Sequence, residues 1–253
     1  MTGTQSEPTP KRRKEKSGTR ARKRSEQVAL QIIEKIAQRG QQPGDKLPQE
    51  PEMLEEYDVS RSSLREGLRL LEVQGLITIR TGPGNGTEVG QIDPANLSRT
   101  LGLYLIMSRI NLRQLLDAWL TVEPILARLA AECPDREKVE RLIRPFATHG
   151  THDDRNVESG LAFHDMVAEA ANNPVLALIL AAVGYLVTEQ VRIFAPEFEL
   201  THATVHSHEV LADCILAGDG DQAAALMLAH LKDVVAELET ILPSLDGDIS
   251  LRS

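Results

Sequence analysis

The sequence has few aromatics, almost no cysteine and no long apolar run. Phe, Trp and Tyr make up 3% of its 253 residues, while 42% are hydrophobic, so the core must come from Leu, Ala, Val and Ile. Many of these are good helix formers. Two cysteines, Cys133 and Cys214, give no disulfide framework and have no metal-type spacing. A reducing cytoplasm is the default compartment. No apolar segment near the start has the form of a secretory signal. The longest apolar stretch, Val175–Val187, is about 13 residues, too short to span a bilayer, and predicts a buried helix with no membrane role.

Positive charge is also scarce, with a net charge of −9, which looks wrong for a nucleic-acid binder. The deficit is uneven. Residues 1–90 hold 16 Lys+Arg against 13 Asp+Glu (+3), and residues 91–253 hold 12 against 24 (−12). The acidic rear repels phosphates, so any nucleic-acid contact belongs to the front. Residues 1–24 are polar, carry KRRKEK and RARKR, and cannot bury a core; they predict a disordered basic arm. A nucleic-acid arm adding nonspecific phosphate attraction, a nuclear address and a solubilising tail all fit this composition.

Residues 25–92 predict a winged helix-turn-helix. Pro43-Gly44-Asp45 is a turn, and Pro51 fits the first turn of a helix, where no amide donor is needed. Asp58-Val59-Ser60 breaks that helix, and Ser60 is a good N-cap for the next. Over 61–74, Leu64, Leu68 and Leu71 share one face, while Arg61, Arg65 and Arg69 form a stripe about a quarter turn away. One face can pack while the other stays wet. An arginine fork grips phosphate or the O6/N7 edge of guanine, and the start of a recognition helix reaches base edges. Arg61, Ser62, Ser63 and Arg65 are therefore the candidate DNA contacts. Arg69, deeper in the helix, suits a phosphate or a surface ion pair. The interior Gly67 costs about 1 kcal/mol against alanine and suggests close helix packing. Leu76–Arg80, the turn residues 82–86 and Thr87–Val89 read as a two-stranded wing with a glycine-rich tip.

Beyond Asp93 the pattern is all helical, with segments at about 95–108, 111–132, 135–147, 155–171, 174–195, 200–217 and 219–242. Short links, among them one at Thr148–Asp153, predict an antiparallel bundle over 93–243, followed by a tail at 244–253. Three histidines fall on apolar faces: His164 with Leu161, Val167 and Ala168; His208 with Val205, Leu211 and Ala212; His230 with Leu226, Met227 and Val234. A lone histidine so placed is usually a hydrogen-bonded core residue. Three that converge suit Zn²⁺ or another divalent transition metal.

The motifs PGDKLP, VSRSSLREGLRLLEVQGLI and GNGTEV resemble the winged helix of the GntR family of bacterial transcription regulators, over residues 25–90. The resemblance implies operator contacts at Ser60, Arg61, Arg65 and Gly82. Pro51 and Pro83 stand where relatives often have charged residues. Over about 95–240, LLDAWLTVEPILARLAAE, LAFHDMVAEAANNPVL and HEVLADCILAGDGDQAAALMLAHL resemble the FCD effector domain of the FadR subfamily. That implies a metal site at His164, His208 and His230, with an aspartate four residues before the first. Here that position is Gly160, and Glu158 is poorly placed to substitute for it; water or an effector carboxylate would complete the site. Relatives often carry an arginine four residues before the glutamate matching Glu123, where this chain has Trp119. An indole offers apolar surface and no positive charge, so the effector pocket of Trp119, Glu123, His164, His208 and His230 would take a more apolar ligand, such as an acyl or aromatic compound. Core packing is the plainer role for Trp119.

Together these features predict a homodimeric, ligand-responsive regulator, most simply a repressor, reading a palindromic operator on double-stranded DNA. It would not be an enzyme. A nonspecific architectural DNA binder and a metal-dependent hydrolase are the alternatives.

Overall fold

The computed structural model describes residues 11–80, 82, 86–147, 157–196, 201–242, 244–247 and 249, with backbone only for 11–21, 157–159, 202 and 205. The first ten residues of the arm, the wing-tip residues 83–85, the link at 148–153 and the side chains of Glu158 and Val205 lie outside this description. The chain divides into two compact units, Met1–Asp93 and Pro94–Ser253.

The first unit holds α1 (Lys11–Gln38), α2 (Glu50–Tyr57), α3 (Arg61–Val73), β1 (Ile77–Ile79) and β2 (Thr87–Val89). α1 starts at Lys11, inside the stretch whose polarity predicts disorder. Lys, Arg and Glu are good helix formers, and the helix is anchored downstream by Val28 and Ile32, both in the core. Pro51 sits in the first turn of α2, and the Glu52 side chain accepts from the Gln49 amide at 2.9 Å. Asp58 ends α2 in the left-handed conformation (φ 47°). β1 and β2 pair antiparallel, with Ile77 opposite Val89 and Ile79 opposite Thr87.

Lys46 adds a bridge to Glu88, and the Leu47 amide donates to the Thr87 carbonyl at 2.8 Å. The segment before α2, which reads only as a turn in the sequence, thus extends the wing. Val28, Ile32, Leu47, Met53, Leu64, Leu68, Leu71 and Ile77 form this unit's core.

The second unit is helical throughout its described residues: α4 (Pro94–Met107), α5 (Leu112–Ala131), α6 (Arg136–Ile143), α7 (Val157–Ala170), α8 (Pro174–Phe194), α9 (His202–Ala217) and α10 (Gly220–Ile241). Each lies within a few residues of its expected span. The segment expected as one helix to 147 changes at Arg144–Phe146 into a 3-10 turn, where Pro145 has no amide to continue the α-helical ladder. Asn111, Asp135, Asn173, Thr201 and Asp219 cap the starts of α5, α6, α8, α9 and α10.

α5 runs through the middle of the unit, packing on α7, α8, α9 and α10. α8 has 21 residues and is long and apolar enough to cross a membrane by length and composition alone. It is nonetheless a bundle helix: Leu180, Ala182, Leu186, Val187 and Val191 are buried. Residues 244–253, expected as a tail, are instead part of the bundle where described. Leu245 and Ile249 are 4% and 3% exposed, and the Arg113 amide donates to the Leu245 carbonyl at 2.9 Å. Two isolated apolar residues give no periodic pattern to read.

Candidate functional site

The helix-turn-helix presents α3 as the sequence predicts. Leu64, Leu68 and Leu71 are 0%, 5% and 4% exposed, whereas Arg61, Ser62, Arg65 and Arg69 are on the surface. Gly67 faces α1 so closely that a Cβ built there would lie 2.5 Å from Val28 Cγ1 and 3.0 Å from the Ser25 carbonyl oxygen. The helix is thus clamped along its leucine edge and bare along its arginine edge.

At the N-terminus of α3, Ser60 Oγ accepts from the Ser63 amide at 3.3 Å and lies 3.0 Å from Ser62 Oγ and 3.1 Å from Ser63 Oγ. These hydroxyls order the end of the helix that carries positive dipole, where an anion is favoured. Arg65 is not free. Its guanidinium forks onto Glu50 of α2, with Nε 3.1 Å from Oε1 and Nη2 3.2 Å from Oε2, while its side chain stays 68% exposed. Gly82 is exposed in the wing with φ +124°, a conformation that favours glycine. Arg80 pairs with Glu88 across the wing at 3.0 Å.

In the second unit the three histidines converge. His164 of α7, His208 of α9 and His230 of α10 are 4%, 8% and 3% exposed. Nε2 of His230 lies 3.0 Å from Nε2 of His208 and 3.3 Å from Nε2 of His164. Three nitrogens at 2.0–2.1 Å from one tetrahedral ion would be about 3.3 Å apart, so the donor set fits Zn²⁺ or a similar ion. Burial pushes the His208 imidazole well below its usual range, helped by His230 and His164. Burial, then His164, pushes His230 down to about 3. Both imidazoles are neutral, the form a metal requires.

The rings are held from behind. Phe163 stacks on His208 with centroids 4.4 Å apart. Glu123, fully buried, accepts from Trp119 Nε1 at 2.8 Å through Oε1, and the same oxygen lies 3.2 Å from His164 Nδ1. Glu123 Oε2 and His164 Nδ1 are both buried with no hydrogen-bond partner among the described residues, so the Glu123–His164 approach is a close contact and not a hydrogen bond. A carboxylate behind a metal-binding histidine is the usual arrangement for orienting the ring.

A cavity opens beside the histidines. Trp119, His164, His208 and His230 of the expected pocket line it, together with Gly160. Glu123 does not line it and belongs behind His164, because the Trp119 indole turns its N–H onto that carboxylate. The remaining wall is largely Leu161, Val187, Val191, Val234 and Leu238, with the hydroxyls of Thr188 and Thr204. None of the lining residues is Lys or Arg. These positions escape sequence reading because apolar bundle residues look alike until the fold selects which of them face the void. At Gly184 a Cβ would meet Leu161 Cδ1 at 2.5 Å, so α8 has no room for a side chain there.

Comparison with known proteins assigns both units. Residues 24–89 match the family model described as bacterial regulatory proteins, gntR family, and residues 114–233 match the FCD domain. The HTH-type transcriptional regulator LutR of Bacillus subtilis (strain 168) is 30% identical over 201 residues, spanning 76% of this chain and 90% of LutR. The HTH-type transcriptional repressor NanR of Escherichia coli (strain K12 / DH10B) is 27% identical over 230 residues, spanning 85% and 84%. A solved GntR structure from Streptococcus agalactiae shares the fold, with TM-score 0.61 and 24% identity over 83% of this chain and 98% of that one. The family's members are transcription regulators and not enzymes, and the chain belongs to it: a GntR-family regulator with a winged helix-turn-helix in front and an FCD domain behind.

Proposed function

We propose that the protein is a homodimeric repressor, acting in the bacterial cytoplasm, that reads a palindromic operator and responds to an apolar carboxylate. One observation carries the DNA-binding assignment. α3 is sealed along its leucines and open along Arg61, Arg65 and Arg69, on a helix-turn-helix whose wing offers Gly82. Arg61, Ser62 and Arg65 would reach base edges and phosphates, with Ser60 and Ser63 ordering the helix start. A relative with a similar span is a named repressor, which supports repression.

Dimerisation has a candidate surface. α4 and α8 pack together, with Ser98 Oγ donating to the Ala182 carbonyl at 2.7 Å. Their outer faces leave Leu103, Tyr104 and Met107 exposed by 57%, 71% and 83%, and Val175, Leu178 and Ile179 by 66%, 40% and 48%. Such exposure amounts to roughly 600 Å² of apolar surface, approaching the ~800 Å² per partner of a stable interface. A second copy seated there would give a two-fold dimer carrying two copies of α3.

His164, His208 and His230 would hold the metal, and Glu123 would orient His164. The ion would supply the cavity's positive charge, binding a carboxylate as a Lewis acid. Gly160 brings no side chain to the remaining position, which leaves it to water or the effector's oxygen. Trp119 and the valines would take an acyl or aromatic tail. An effector favouring one arrangement of the dimer would shift DNA affinity by its differential binding.

The test is capture of genomic fragments by the purified protein, followed by footprinting on the recovered sites. A single short protected site is expected, lost in Arg65→Glu while the protein stays folded. Equal affinity for any duplex with steep salt dependence would favour an architectural binder instead.

A further inference from the structure

We infer that Ser207 is a positioning residue: it fixes the tautomer of His230 so that His230 offers its Nε2 lone pair to the metal. The inference rests on the metal reading above and concerns a residue outside the three ligands.

Ser207 Oγ lies 2.6 Å from the Thr204 carbonyl oxygen and 2.6 Å from His230 Nδ1. Both contacts are short enough to require a proton in each. The hydroxyl has one proton, and a carbonyl can only accept, so that proton points at Thr204. The second contact must then draw its proton from the ring, as Nδ1–H donating to Ser207 Oγ. A neutral imidazole carries a single ring proton, so Nε2 of His230 is bare. That bare nitrogen is the one that meets Nε2 of His208 and Nε2 of His164 at 3.0 and 3.3 Å.

His164 Nδ1 lies 3.2 Å from the Glu123 oxygen that accepts from Trp119 but makes no hydrogen bond to it, so the proton count fixes His230 alone. Ser207 is on α9, one residue before the ligand His208 on the same helix. The first turn of α9 is itself pinned, because Thr201 and Thr204 hydroxyls donate to Glu237 of α10 at 2.8 and 3.1 Å. The serine is thus held at both ends while it holds the ring.

The experiment uses the full chain stripped of metal and titrated with Zn²⁺ against a competing chromophoric chelator. Wild type, Ser207→Ala, Ser207→Thr and His230→Ala are compared, with circular dichroism confirming folding. Wild type should take up one equivalent. Ser207→Ala should bind 10- to 100-fold more weakly, the usual cost of losing an outer oxygen partner. Ser207→Thr, which keeps the hydroxyl, should stay near wild type. In the metal-free protein, nitrogen NMR of the His230 ring should show protonated Nδ1 in wild type and a tautomer mixture in Ser207→Ala. A wild type that binds zinc, with Ser207→Ala binding it equally well, would overturn the role of Ser207 and leave the metal site standing. A wild type that takes up no zinc would overturn both. Loss in Ser207→Thr equal to that in Ser207→Ala would show that the hydroxyl is not what matters.

Discussion

Replacing Gly67 with alanine sets two effects of known size against each other. A glycine in the middle of a helix costs about 1 kcal/mol relative to alanine, so sequence reasoning alone predicts stabilisation. The structure predicts the reverse. The new methyl would meet Val28 Cγ1 at 2.5 Å and the Ser25 carbonyl oxygen at 3.0 Å. Val28 is fully buried and β-branched in a helix, where one rotamer dominates, and the carbonyl belongs to the backbone of α1. Neither can move aside cheaply, and such overpacking costs about 1–3 kcal/mol. The net expectation is destabilisation of about 1 kcal/mol, which lowers the Tm of a unit this size by about 4–8 °C. Calorimetry of the full chain reads it as a shift in the transition of the first unit. A double-mutant cycle with Val28→Ala should show coupling of about 1 kcal/mol, since removing Cγ1 makes room for the methyl. A raised Tm in Gly67→Ala, or strict additivity in the cycle, would refute the packing argument.

Other expectations follow from the same structure. Glu56 has its pKa held below the usual carboxylate value, chiefly by the Lys35 hydrogen bond. Its folded pKa is depressed, so it stabilises above the unfolded value and that stability is lost as pH falls through the folded one. Glu56→Gln should lower Tm at neutral pH, with the gap from wild type closing below about pH 4 in acid melts. Met107→Glu combined with Val175→Glu should shift the protein to a monomer in sedimentation velocity and weaken operator binding; an unchanged dimer would move the interface elsewhere. Trp119→Ala removes a side chain that is 5% exposed and should cost about 3–5 kcal/mol in denaturant unfolding. It should also weaken binding of acyl or aromatic carboxylates far more than of acetate, and equal losses for both would remove the apolar specificity.

The front unit was legible because its signals are local. Ser60 caps, Leu64, Leu68 and Leu71 repeat at helical spacing, and Pro51 marks a helix start, so each reports its own structure. The Lys46 bridge was not legible, since a single pairing has no period. In the rear unit the helix spans showed through their caps and breaks. That His164, His208 and His230 meet was only implied by the family resemblance, for no pattern along a chain measures distance between helices. Glu123 was placed in the right neighbourhood and on the wrong layer, because the direction of the Trp119 N–H decides that. Ser207 was invisible: a serine next to a histidine is unremarkable until His230 arrives from 23 residues further along the chain.

The fork between Arg65 and Glu50 has a consequence for how the protein searches. An arginine already satisfied by a carboxylate gains less from the first phosphate it meets, because each exchange gives up one charged partner for another. If Arg65 contacts DNA as proposed, random duplex would be gripped loosely and released quickly. Only a site that also occupies the neighbouring contacts would return enough to make the trade worthwhile, so Glu50 would blunt affinity and sharpen the contrast between the right sequence and the rest.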